Sequence, residues 1–209
     1  AFLAGLHANL MGTYPQAGPA LWAVRLWTNI LWQPAYLAAI AVHVHGAVPD
    51  LSDFSQSRRG IYVDGYRLRP GAQWRDSPEA MIARIGTQLH SLAGQLLGEV
   101  NRLENFRLVP ARRLLADRIL GLMVLLAQRR PELEPSMIAA WTGAWMAVLE
   151  LEGQGSLEWI DLPDGRHVPV VSRKGCCLDY RATPGRFCAS CPKQDRTERI
   201  TRQLAEWQA

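Results

Sequence analysis

All four cysteines of the chain stand between positions 176 and 191, as Cys176, Cys177, Cys188 and Cys191. This clustering constrains the fold more than any other feature. The first 175 residues hold no thiol, so they must close a core with apolar side chains alone. With 48% hydrophobic and 20% charged residues over 209 positions, the chain is equipped to do so. A protein of this size buries enough surface to fold without cross-links, and one domain with an appendage is expected.

The apolar pattern before the cysteines is mostly helical. Residues 19–33 and 34–45 read as two apolar helices, with Pro34 opening the second and Gly46 stopping it. Ile61-Tyr62-Val63 and Tyr66-Arg67-Leu68 flank Asp64-Gly65, which predicts a two-residue hairpin turn. Ser77 caps a helix opened by Pro78, along which Ile82, Ile85, Leu89, Leu92, Leu96, Val100 and Leu103 recur every three or four positions. Further helices begin at Pro110 and Pro135, the latter with Trp141 and Trp145 facing inward. The run "LEWIDLPDGRHVPVV" reads as two strands around Pro163-Asp164-Gly165, and Pro169 places the second at an edge. A last helix spans about 194–208. The expected fold is mainly α with small β-hairpins (α+β). Residues 1–153 form a helical body, and 154–209 carry a hairpin, the cysteine segment and a terminal helix.

The most membrane-like stretch, residues 20–46, is interrupted by Arg25, Asn29, Gln33 and Pro34. About a dozen apolar residues remain after Pro34, too few to cross a bilayer. The start lacks a basic region followed by an apolar run and a small-residue cleavage site. A soluble, cytoplasmic protein that does not span a membrane is expected. A reducing compartment argues against structural disulfides.

Charge is unevenly placed. Residues 172–209 hold eight Lys and Arg against four acids, and so carry the whole +4 of the chain; residues 1–171 balance. The positive excess and the cysteines share one segment.

The cysteines follow a C-C-x10-C-x2-C pattern. The x2 pair is a familiar metal knuckle, with Pro192 fixing its exit. The adjacent pair is unusual, because neighbouring side chains on an extended backbone point to opposite faces. Both reach one site only if the chain kinks, which Gly175 beside them can permit. From spacing alone three readings stand. Zinc prefers two separated pairs around one tetrahedral ion. Two disulfides fit an even count but not the compartment. An iron–sulfur cluster takes four thiolates over a larger core and from more varied directions. A two-iron cluster on four thiolates carries roughly two negative charges, and one more once reduced. Local basic residues offset that charge, as they would for a four-thiolate zinc site.

"RKGCCLDYR" followed by "CASCP" resembles the ferric siderophore reductases, the FhuF-like proteins. The cysteine spacing matches theirs at all four positions. The helical body, with "LWQPAYLAAIAVHV" ahead of a small hairpin, is compatible with the family's larger domain. Gly175 departs from the Ser or Thr common there, which removes one hydroxyl donor to sulfur. The resemblance implies a [2Fe–2S] cluster held by Cys176, Cys177, Cys188 and Cys191. It also implies one-electron reduction of an Fe(III) siderophore, mostly of hydroxamate type, with release of Fe(II). A [2Fe–2S] centre is a one-electron carrier, and the electron must come from a donor protein or a small reductant, since neither G-x-G-x-x-G nor G-x-x-x-x-G-K occurs.

Other candidates are weaker. Arg181 and Lys193 are placed to flank the cluster. Tyr62, Tyr66, Arg67 and Trp74 gather around the first hairpin and could line a siderophore pocket, or simply pack the hairpin on the helices. His43 and His45 diverge on a helix, so shared metal ligation is not expected. His90 and His167 read as structural or surface residues. A zinc-bearing nucleic-acid module is a poorer reading, because the basic residues lack interleaved aromatics and the body is neutral. A cluster-bearing electron carrier or redox sensor is the nearer alternative.

Overall fold

The computed structural model describes residues 2–208, without the side chain of Gln208. Six α-helices and two hairpins follow in the order α1 (Phe2–Thr13), α2 (Pro19–Ile40), β1 (Ser55–Arg59), β2 (Tyr62–Arg67), α3 (Pro78–Asn101), α4 (Leu108–Arg129), α5 (Pro135–Val148), β3 (Gly155–Asp161), β4 (His167–Arg173) and α6 (Arg196–Gln208). The fold is mainly α with two small antiparallel hairpins, as the apolar periodicity predicts. No helix among the described residues is long and apolar enough to cross a membrane.

The core lies where α2, α3, α4 and α5 meet. Leu26, Ile30, Ile82, Ile85, Leu89, Ile119, Leu120 and Trp145 are almost wholly shielded from water. Burial of apolar surface on this scale is the main favourable contribution to folding, at roughly 25 cal/mol per Å². Two buried indoles tie helices together by their N–H groups as well as their area. Trp27 donates to the Ala111 carbonyl at 3.0 Å, and Trp145 to His43 Nε2 at 3.0 Å. Ser77 caps α3, accepting from the Ala80 N–H.

Two expectations are corrected. Pro34 does not begin a helix; it lies inside α2, which runs unbroken to Ile40 and then widens into a π-helical turn, Ala41–His45. An interior proline removes one backbone hydrogen bond, a cost of about 3 kcal/mol. Here the residues on both sides of it, Ile30, Leu31, Ala35 and Ala38, are all buried, and that continuous apolar face outweighs the loss. Gly46 ends the turn in a left-handed conformation, as expected. The turn separates the two histidines. His43 packs on Trp141, with ring centroids 4.8 Å apart, and His45 is exposed.

The second correction concerns Asp64-Gly65. Arg59 pairs with Tyr62, so the hairpin turns at Gly60-Ile61. Asp64 and Gly65 together oppose Ser57, where the register shifts. They form a bulge. Gly65, at φ +89, supplies the positive φ that a bulge uses as readily as a turn does.

The second hairpin turns at Pro163-Asp164-Gly165, as predicted, and pairs in register from Gly155↔Arg173 to Asp161↔His167. It lies against α4, with α6 beside β4. Gln203 of α6 closes the free edge of β4: its side chain accepts from the Val171 N–H at 2.8 Å and donates to the Val171 carbonyl at 3.2 Å. The expected edge strand is therefore sealed by one amide.

Candidate metal centre

The cysteine segment leaves the end of β4 and crosses α4 before α6 begins. Its first constraint is close approach. A Cβ on Gly175 would lie 2.7 Å from Asp117 Oδ2 and 3.2 Å from the Arg113 backbone, so only glycine lets the chain lie this close to α4. The kink that turns the adjacent cysteines sits three residues later than expected. Leu178, not Gly175, has the left-handed backbone, at φ 59 and ψ 14. A side chain there costs roughly 1–2 kcal/mol. Leu178 packs against the core, which helps hold it in place. A short 3₁₀ turn, Asp179–Arg181, follows.

The x2 pair sits on a tight turn, with the Cys191 N–H donating to the Cys188 carbonyl at 3.0 Å. All four thiols are free, and only Cys191 is fully buried. Cys177 Sγ and Cys188 Sγ stand 3.8 Å apart. Two thiolates on one tetrahedral metal, each about 2.3 Å from it, are separated by roughly the same distance. Among the described residues no group of three or more His, Cys, Asp or Glu side chains is gathered around a point where one ion would sit. The four cysteines offer sulfur donors, with Cys177 and Cys188 as one close pair. The Cys177–Cys188 pair is the part of this set spaced to share one metal.

Cys177 and Cys188 titrate as a pair. The hydrogen bond from its partner holds the Cys177 thiol down, at about 6. The same bond pushes Cys188 up, because the second proton leaves beside a thiolate. Burial pushes Cys176 up.

A polar layer supports the sulfurs. Arg173 Nη1 donates to Cys188 Sγ at 3.4 Å and lies 3.5 Å from Ser190 Oγ. Its Nε donates to Asp117 Oδ2 at 2.8 Å. Burial pushes the Asp117 carboxyl up to about 6, against the pull of Arg173, Arg118 and Arg113; it is still ionised at neutral pH. Burial also opposes the charge on Arg173, but the Asp117 carboxylate beside it more than offsets this and raises its pKa. Arg25 of α2 pairs with Asp179 at 2.8 Å, and Arg202 of α6 donates to the Phe187 carbonyl at 2.9 Å. The loop is thus tied to α2, α4 and α6.

Cys177 and Cys188 face a cleft of about 520 Å³ between α2, α4 and the loop, lined also by Arg25, Tyr36, Arg118 and Gln128. This is within the usual range of small-molecule sites, roughly 300–1,000 Å³.

The other sequence candidates are placed elsewhere. Tyr62 lines a shallow hollow with α1. Tyr66 lines a separate one beside Trp32 and stacks on Phe54. Arg67 is exposed, and Trp74 packs against the core under Arg84. Tyr62 and Tyr66 thus line different hollows, neither of which includes a sulfur. Arg181 is exposed, and Lys193 lies 5.0 Å over the Tyr180 ring; neither donates to a sulfur. Arg173 holds that position instead, and sequence reasoning counted it only as charge. His90 is half-buried near Glu150, and His167 stacks on Trp159.

No protein-family model matches this chain, and no solved structure matches it.

Proposed function

We propose that the protein is a cytoplasmic ferric siderophore reductase that holds a [2Fe–2S] cluster on Cys176, Cys177, Cys188 and Cys191. The observation that carries this reading is the close sulfur pair of Cys177 and Cys188 at the wall of an open cleft. Such a cluster, when bound, passes one electron at a time to an acceptor that approaches its edge. The balance is one electron from an external donor, a carrier protein or small reductant, and one electron to Fe(III), giving Fe(II). Hard oxygen chelators grip the smaller, more highly charged ferric ion and hold the ferrous ion weakly, so the metal is released.

The cleft favours a reductase over a simple electron carrier, which needs only an exposed edge. Its charges also suit a hydroxamate substrate. Arg25 is paired with Asp179 and Arg173 with Asp117, which leaves Arg118 and Glu206 to offset each other. With its side-chain charges balanced and a negative cluster at one side, the wall accepts a neutral ferric tris-hydroxamate and offers no surplus cations to an anionic tris-catecholate. Tyr36 and Gln128 add a ring face and an amide for the chelate's amide groups.

The test is anaerobic. Protein reconstituted with ferrous iron and sulfide should turn red-brown. After chemical reduction, a ferric hydroxamate should restore the oxidised spectrum with one Fe(II) trapped per centre. Each Cys→Ser change should bleach the protein or alter its reduced paramagnetic spectrum. A colourless zinc protein, or a reduced centre indifferent to several ferric siderophores, would remove the assignment.

A further inference from the structure

We propose that Arg173, held in place by Asp117, sets the reduction potential of the centre through its donor contact with the Cys188 sulfur. This rests on the [2Fe–2S] reading above and goes beyond it.

Asp117 and Arg173 form the most enclosed of the arginine–carboxylate pairs among the described residues. Their side chains are 7% and 12% exposed. A charge so placed acts on its neighbours with little solvent or salt screening. The guanidinium is planar and permanently charged, so fixing one of its nitrogens aims the others. Nε is fixed by Asp117 Oδ2 at 2.8 Å, which directs Nη1 to Cys188 Sγ at 3.4 Å. Ser190 Oγ, at 3.5 Å, accepts from the same nitrogen.

Asp117 is itself wedged. Glycine at 155 and at 175 lets both chain segments close on it, and a Cβ at either position would press on α4. Its Oδ1 is buried without a partner. The carboxylate therefore serves Arg173 rather than solvent. The arrangement costs desolvation of two charges, and its one directed product is a cationic donor against a ligating sulfur.

Such a donor stabilises the more negative state of the centre. The reduced form carries one more negative charge than the oxidised form, so Arg173 raises the potential. The exposed cations of the segment, Arg181 and Lys193, are screened and lack a sulfur contact, so their effect is smaller.

The experiment is a spectroelectrochemical titration of reconstituted full-length protein. Arg173→Gln should lower the midpoint potential by at least about 59 mV, a tenfold shift in a one-electron equilibrium. Arg173→Lys, which keeps the charge and loses the fork, should recover part of that shift. Arg181→Gln and Lys193→Gln should stay near the native value. Asp117→Asn should shift the potential by different amounts in the native and Arg173→Gln backgrounds. Equal shifts would make Asp117 a bystander and overturn its part.

A loaded Arg173→Gln protein with the native potential overturns the proposal and leaves the cluster reading intact. Loss of the cluster from both Arg173 variants assigns the residue to assembly and also overturns it. A native protein that assembles no cluster overturns the cluster reading, and the inference with it.

Discussion

Gly175→Ala should destabilise the protein although it adds one methyl group. The new Cβ would sit 2.7 Å from Asp117 Oδ2 and 3.2 Å from both the carbonyl carbon and Cβ of Arg113. Two of these three atoms belong to the framework of α4, and the carboxylate is held by Arg173, so no contact is the free end of a flexible chain. Overpacking of this kind costs about 1–3 kcal/mol. At about 2–4 °C per kcal/mol for a chain of this length, the melting temperature should fall by roughly 2–12 °C. Relief requires the loop to lift from α4, which moves Cys176 and Cys177 with it, so cluster uptake should fall as well. Gly175→Ser should be no better, since its hydroxyl would share the space of the carboxylate. Melts of both variants followed by circular dichroism, with iron and sulfide counts after reconstitution, check the expectation. Native melting temperature and native iron content in Gly175→Ala would show slack between loop and helix. The account of Asp117 as a wedged residue would then be wrong.

Gly94→Ala offers the opposite sign: Gly94 is exposed in α3, with nothing within 4 Å of a new Cβ, and the change should stabilise by about 1 kcal/mol in a denaturant melt. The helical body should stay folded without the cluster, because its core excludes the cysteine segment except for Leu178; a coil-like far-ultraviolet spectrum of the apo form would contradict this. Acid should act on two buried groups in opposite directions. His43 is held near 4 by burial, so its unfolded form takes up a proton first, and about 3 kcal/mol of stability is lost as pH falls from about 6.5 to 4. Asp117 is raised to about 6, so its folded form takes up a proton first, and about 3 kcal/mol is regained as pH falls from about 6 to 4. Urea melts at both ends of the window should show His43→Gln gaining stability on acidification relative to native protein, and Asp117→Asn losing it; parallel slopes would refute the assignment. Tyr36→Ala or Arg118→Ala should slow ferric hydroxamate reduction, and Tyr62→Ala or Tyr66→Ala should not; equal loss at the first hairpin would move the substrate site there.

The helical body was legible because its signals are local and redundant. Ser77-Pro78, Pro135 and the three-and-four spacing of Ile82, Ile85 and Leu89 each point to the same helix starts and faces, and packing has no reason to override them. The errors fell where one residue serves two geometries. Gly65 supplies a positive φ to a bulge or to a turn, and only pairing across Ser57 decides which. Pro34 opens a helix or is carried inside one, and only the burial on both of its sides decides. The cysteine pattern was legible as a pattern, but its support was not. Arg173 reads as one more cation in a basic tail. Asp117 had a faint signal: it is an acid three residues after Leu114 and four before Gly121, on the side of α4 that faces the cleft. Recognising the pair needs the contact between residues 56 positions apart.

That contact explains why the segment is mounted on the body rather than hung from it. A small metal site that folds only with its metal needs nothing beyond its ligands and a turn. Here the loop is joined to three helices by groups that bind no metal. Asp179 meets Arg25 of α2, Arg173 meets Asp117 of α4, and Arg202 of α6 holds the Phe187 carbonyl. Gln203 then locks α6 to β4. Each tie costs side-chain entropy and desolvation, and ligation alone requires none of them. What they do achieve is a fixed relation between the sulfurs of Cys177 and Cys188 and the wall of the cleft. An electron carrier works from an exposed edge in any orientation. A catalyst must hold its electron source at one distance from a bound acceptor, and under the proposed reductase reading a loop tied to α2 and α4, the two helices that wall the cleft, would serve that need.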